Sequence, residues 1–220
     1  MVRVRMTLAN LLMLTIISGC ASTAQVINKG GPTIAEAQAM PTIGEKLRIA
    51  VIDFENRTSY DVGRGMRAML TSALFHSSEF IVLEREELSD VLLEQQLGMT
   101  GVVSAETAPP VGEVEGAQIL IYGVVTDFEP GQRGATTIAG GAQQSHVAID
   151  IRIVDSRTSR VLATTTVEGK ATDAHLGTSR LTNLGMTPLY SLDIWENTPV
   201  GTAIRLCIDE AVGYIVTQLR

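Results

Sequence analysis

Few residues in this chain have the type and spacing to do chemistry. Cys20 closes a segment in which Arg3 and Arg5 precede an apolar run from Leu8 through Ile17, followed by the small residues Ser18 and Gly19. A basic start, a short apolar core and small residues at the end make a secretory signal, because a spanning helix needs about 20 apolar residues. Gly63-Arg64-Gly65-Met66-Arg67-Ala68 has the spacing of a dinucleotide fingerprint, with Glu84 about 20 residues further on, where a ribose ligand is expected. Those glycines lie well beyond Phe54, where the preceding apolar run ends, so they do not form the tight strand-to-helix turn that brings N–H groups against a pyrophosphate. A loop and a helix start are expected there. His76, His146 and His175 lack metal-ligand spacing and have no cysteine or histidine partner, so they read as surface or packing residues. Ser72, Ser77 and Ser78 lie near His76 without a nucleophile-elbow pattern around them. Glu84-Arg85-Glu86-Glu87 suits a solvated helix entrance, where acidic groups meet the positive end of the dipole. No catalytic, metal or cofactor-binding residue is assigned, and the chain does not read as an enzyme.

The tetrad Ile17-Ser18-Gly19-Cys20 resembles the lipobox of bacterial lipoproteins, in which the cysteine thiol is diacylated, the signal is cut before it, and the new amino end is acylated. Small residues at Ser18 and Gly19 let the peptidase reach the bond, and the thiol carries the lipid. The resemblance implies that residues 1–19 are removed and that Cys20 is lipidated. Each buried methylene contributes about 0.8 kcal/mol, so several chains on one cysteine make the attachment effectively permanent. Ala21 and Ser22 lack the aspartate that commonly retains such lipoproteins at the inner membrane. The expected location is therefore the outer membrane, lipid-anchored and facing the periplasm.

A chain of 220 residues fits one domain with excursions. The formal charge of −7 falls to −9 once Arg3 and Arg5 leave with the signal, and an acidic protein repels phosphate backbones, which argues against nucleic acid as a partner. With Cys20 taken by lipid, Cys207 is alone in an apolar helical run and no intramolecular disulfide forms.

Residues 20–46 read as a lipidated flexible tether rich in Ser, Thr, Gly, Pro and Ala, with a brief helix possible at Ile34 to Met40. Leu47 to Phe54 is a near-continuous apolar run, as expected of a strand covered on both faces. Glu55 to Asp61 is a polar loop. Val62, Met66, Met69, Leu70, Ala73 and Leu74 then fall at helical spacing. Phe80 to Leu83 predicts a second buried strand. Leu88, Val91, Leu92 and Gln95 mark a second amphipathic helix, with Gly98 as its stop. After a loop from Gly101 to Glu115, Ala117 to Val125 makes a third strand. His146 to Asp155 alternates, with Val147, Ile149, Ile151 and Ile153 on one side, and Val161 to Glu168 returns as its hairpin partner across a turn at Ser156 to Ser159. Pro199 to Leu219 closes the chain as a helix with Ala203, Leu206, Cys207, Ala211, Tyr214, Ile215 and Leu219 along one stripe. The order predicts an α/β fold, a layered sheet with packed helices over residues 47–220.

Several of these stretches together resemble the CsgG family. They are Ala68 to Leu74, Phe80 to Arg85 followed by Leu88 and Leu92-Leu93, Ala117 to Gly123, the hairpin Val147 to Leu162 with Val154-Asp155 before its turn, and the closing helix around Pro199 and Cys207. The resemblance implies an outer-membrane lipoprotein whose subunits form a ring, with two β-hairpins per subunit contributing to a shared barrel, and a non-catalytic role in secretion, assembly or anchoring of a cell-surface component, as in curli transport. It also implies an unidentified exported or cell-envelope protein as partner. LpoB-like lipoproteins, which regulate a periplasmic enzyme and span nothing, share the core without hairpins and are the alternative. The candidate inserts are 127–145 and 172–197. The first is barely long enough for two membrane strands of about 9–11 residues, and from Gly131 to Ser145 its only large aliphatic is Ile138, so a surface loop is the favoured expectation there. The second carries Tyr190 and Trp195, residues suited to a membrane interface. In the family's pore the loop after the first strand is long and lines a constriction. Here Glu55 to Asp61 is short and Tyr60 is its only aromatic, so no channel-lining residue is carried over.

Overall fold

The computed structural model describes residues 23–26, 45–132, 141–175 and 198–220. Its strands are β1 (Thr23–Val26), β2 (Arg48–Asn56), β3 (Ile81–Val82), β4 (Ile119–Gln132), β5 (Gly141–Asp155) and β6 (Val161–His175). Its helices are α1 (Gly63–Ser77), α2 (Leu88–Met99) and α3 (Pro199–Leu219). The described strands form one sheet in the order β1-β6-β5-β4-β2-β3. β2 runs parallel to β3 and β4, reached through helix-containing crossovers, whereas β4, β5, β6 and β1 are successively antiparallel. The expected α/β layering of helices on a sheet is what the chain adopts.

One side of the sheet is apolar because the side-chain period of a strand is two. Val147, Ile149, Ile151 and Ile153 of β5 are completely buried and join Ile49, Val51, Ile119, Ile121, Val125 and Val167 in one core with α1 and α3. α3 is buried over more of its circumference than one stripe predicts. Val200, Ile204, Ile208, Val212 and Val216 are enclosed as well as Ala203, Cys207, Ala211, Tyr214 and Ile215 of the expected stripe, whereas Leu206 and Leu219 are half-buried, since α3 packs both on the sheet and on α1. Its start is capped by Thr198, whose Oγ1 accepts from the N–H of Gly201 at 3.2 Å, with Pro199 in the first turn. Its end is tied down by Arg220, whose guanidinium donates to both carboxylate oxygens of the buried Glu79 at 2.7 and 3.2 Å. A carboxylate so deeply placed needs a charged, hydrogen-bonded partner.

Two glycines set how closely these layers meet. A Cβ on Gly169 would lie 2.0 Å from the carbonyl oxygen of Ala203, so α3 rests directly on the backbone of β6. A Cβ on Gly123 would overlap the ring of Phe54, which lies across the neighbouring strand.

The structure corrects several expectations. The second strand is only Ile81–Val82 and Ile81 is exposed, because β3 is the sheet's edge and is covered on one side only. Glu55 and Asn56 belong to β2 and not to the following loop. α2 continues through Gly98, which packs against Ala108, and the positive φ falls at Gly101 instead. Its stripe is not a core stripe, since only Gln95 is buried and Val91 and Leu92 are exposed. Within the tether expected over 20–46, Thr23–Val26 is an edge strand. Residues Asp127–Gln132 and Gly141–Ser145 of the first insert continue β4 and β5, and β6 reaches His175. Gly141 is paired with His175, while the Ile34 to Met40 helix, Tyr190 and Trp195 lie outside the described residues.

Replacing Gly169 by Val should lower stability by about 2–3 kcal/mol through overpacking against α3. Thermal unfolding followed by circular dichroism checks this, with Gly116→Ala, whose Cβ would meet open space, expected within about 0.5 kcal/mol of the parent.

Candidate functional site

The fingerprint residues have structural work. Gly63 opens α1 where a Cβ would sit 2.6 Å from the carbonyl oxygen of Phe54, so this glycine lets helix and strand approach. The connection before it is a knit turn: the Asn56 amide donates to the Tyr60 carbonyl, and Asn56 Oδ1 accepts from the N–H and hydroxyl of Thr58 at 3.0 and 2.8 Å. Tyr60 turns onto Phe128, with ring centroids 5.2 Å apart, and packs on the core instead of projecting outward. Glu84 is a helix-entry acceptor, its carboxylate taking the N–H groups of Glu86 and Glu87. Burial pushes the Glu84 carboxyl up, but the N–H groups of Glu86, Glu87 and Arg85 outweigh it and hold the group below its ordinary value. Ser77 donates back to the Leu74 carbonyl at 2.6 Å, and Ser78 takes the left-handed conformation that ends α1. The serines beside His76 thus terminate a helix.

The side of the sheet away from α1 and α3 is polar and ordered. Arg152 lies over the ring of Tyr122, its register partner, at 5.2 Å, and Asp150 accepts from the Thr166 hydroxyl at 2.6 Å. Further along the same strands, His146 Nδ1 meets Asp127 Oδ2 at 3.0 Å, its Nε2 lies 3.5 Å from Glu168 Oε2, and Lys170 Nζ is 2.9 Å from that same oxygen. The hydrogen bond from Lys170 holds the Glu168 carboxyl below its ordinary value against the opposing effect of burial. The sequence reads His146 as a surface or packing residue, and the alternation of β5 puts it on the outward side. Only strand register brings it between carboxylates from β4 and β6.

This cluster stands where the sheet meets the start of the described chain. Thr23 of β1 is opposite Lys170, and Lys170 is opposite His146. Beyond that level β5 and β6 continue side by side to the pair Gly141 and His175, and β4 continues to Gln132 opposite Gln144. Cys20 lies outside the described residues, three positions before Thr23. Cys207, by contrast, is fully buried, its Sγ 3.4 Å from the Val167 carbonyl oxygen, and burial pushes its thiol far above the ordinary range. Among the described residues no cluster of His, Cys, Asp and Glu could hold a metal ion, and no helix is long and apolar enough to cross a membrane.

Residues 31–220 match the family model described as "Curli production assembly/transport component CsgG". No match was found among curated proteins. Similar solved structures include a hypothetical protein of Chlamydia trachomatis, at 12% identity over 79% of this chain and 98% of that one, with a TM-score of 0.47. A lipoprotein of Neisseria meningitidis matches at 17% identity over 61% of this chain and 88% of that one, with a TM-score of 0.35. A PelC dodecamer from Paraburkholderia phytofirmans matches at 10% identity over 85% and 99%, with a TM-score of 0.34.

Because the folded Glu168 carboxyl is held low, the stability it contributes is full above the ordinary carboxylate range and is lost as pH falls through its lowered value. Lys170→Met should therefore cost under about 1 kcal/mol at pH 7, the pair being partly exposed, and progressively less as pH falls below the ordinary carboxylate range, so melting curves of parent and variant converge in acid. A maleimide should leave Cys207 unlabelled in the native protein and label it after denaturation, as read by peptide mass analysis.

Proposed function

Since the chain belongs to the CsgG family, we propose that it is an outer-membrane lipoprotein, anchored through Cys20 and facing the periplasm, that works as a homo-oligomeric ring without catalysis. Its role is to help secrete, assemble or anchor a cell-surface component through an exported or cell-envelope protein partner. The observation that carries this reading is the register of β1. Thr23 is three positions after Cys20, a span of at most about 11 Å. From the level of Thr23, β6 runs five residues further, from Lys170 to His175, which is about 17 Å of strand. An acylated Cys20 on so short a leash brings the projecting ends of β4, β5 and β6 to the bilayer surface, and the inserts beyond Gln132 and His175 depart from that end. The same geometry suits a protein held against a membrane by its sheet edge better than one hanging from a long tether.

A second reading, a regulatory LpoB-like lipoprotein that binds a cell-envelope enzyme and spans nothing, is favoured by one observation. Tyr60 is folded onto Phe128, and the loop that would line a constriction is a closed turn.

Cys20→Ser should shift the protein from the outer-membrane fraction to the soluble periplasm, and mass analysis of the parent should recover an acylated amino-terminal peptide. Negative-stain images of detergent-extracted parent should show rings; monomers in both detergent and lipid would overturn the ring. Conductance of purified protein across a planar bilayer separates the two readings, being expected for the first and absent for the second.

A further inference from the structure

The imidazole of His146 is held between two carboxylates, and its two nitrogens do not fare alike. Nδ1 stands 3.0 Å from Oδ2 of Asp127 on β4. Nε2 is shut off from solvent and has no hydrogen-bond partner, although Oε2 of Glu168 on β6 lies only 3.5 Å away. That same oxygen is held by Lys170 Nζ at 2.9 Å. A neutral imidazole has one N–H and one lone pair, so it donates to only one of these carboxylates. With the proton on Nδ1, the Nε2 lone pair faces the Glu168 oxygen in a dry site, where two acceptors repel. The other tautomer sets the same conflict against Asp127. Imidazolium carries two N–H groups and removes the conflict on both sides.

The surroundings favour the cation. The charged groups that face the ring are Asp127 and its register partner Glu129 on β4, and Glu168 and Lys170 on β6. Its neighbours on the same side of β5, Gln144 and Ala148, are uncharged, as are Thr23 and Gln25 of β1, opposite Lys170 and Glu168. α1 and α3 cover the other side of the sheet. Three carboxylates therefore surround the ring against one ammonium. The influence runs both ways, since His146, after the Lys170 bond and against burial, helps to hold the Glu168 carboxyl low.

The place of the cluster gives this chemistry a structural consequence. β2 pairs with β4 only as far as Asn56 opposite Val125, and β1 pairs with β6 no further than Thr23 opposite Lys170. Past those levels the ends of β4, β5 and β6 have, among the described strands, only one another. We propose that His146 is a pH-operated clasp at the root of these ends: protonated, it bonds Asp127 and Glu168 at once and ties three strands together, and neutral, it holds one carboxylate alone. The tie is complete in acid and is lost as pH rises through the ordinary imidazole range. It operates within one chain and needs neither the ring nor the lipid.

The full chain, extracted in detergent, is followed by hydrogen exchange and mass analysis at about pH 8 and about pH 5.5, a window that spans the imidazole range and stays above the ordinary carboxylate range. Protection is expressed relative to intrinsic exchange at each pH. Over residues 127–132, 141–146 and 168–175 it should rise at least about threefold in acid. His146→Gln keeps His76 and His175 and should lose the rise. Glu168→Gln brings an amide donor to the lone pair of neutral Nε2, so protection there should no longer depend on pH. Circular dichroism identifies the folded variants, and either one alone decides the matter. Strand ends that exchange alike at both pH values in the parent, or a rise of the same size in the variants, overturn the clasp.

Discussion

The close seating of α3 on β6 is the contact on which the rest of this domain depends. Gly169 lets the Ala203 carbonyl approach where any side chain would hold it off, and around that point Cys207, Ile204, Ala211 and Ile215 cover the apolar side of β5 and β6. Each large aliphatic enclosed in this way contributes about 1.5–3 kcal/mol relative to exposure. The helix then presents its other flank to α1, so one element bridges the antiparallel half of the sheet and the parallel half. The Arg220 pair with Glu79 fixes its far end to the chain segment just before β3.

Covering one side of the sheet leaves the other to do something else. Its residues are not a solvated miscellany. Register stacks Tyr122 on Arg152, Asp150 on Thr166, and His146 between Asp127 and Glu168, so neighbouring strands are linked by polar pairs in the direction across the sheet. That ladder reaches the end of the sheet from which β4, β5 and β6 project, and it gives the projecting strands a firm base. β1 adds a further edge at the same level, close in sequence to the cysteine expected to carry lipid.

At the opposite edge the fold is economical to the point of incompleteness. β3 is two residues long and α2 turns most of its surface to solvent, which is why an apolar stripe legible in the sequence buries little within the chain. Arg64 ties the stem before α2 to α1 through Glu86 and Glu87.

From Leu47 onward, sequence by itself determined the order and type of the elements. Alternation in Val147 to Ile153, the helical stripe of Val62 to Leu74 and the helix start at Pro199 are local patterns, and local patterns follow from side-chain period and the backbone chemistry of proline alone. Counting from Phe54 also made a loop and a helix start the expected reading of the glycine fingerprint, and Gly63 does open α1. What only the tertiary structure decided is everything that depends on partners distant in the chain. The pairing of Thr23–Val26 with β6, the continuation of β4 and β5 into the first insert, the placing of His146 between two carboxylates and the exposure of Val91 and Leu92 all turn on strand register and layer contacts. The polar stretch Gly141 to Ser145 has no burial signal of its own, so its strand character comes from hydrogen bonds that neighbouring strands supply.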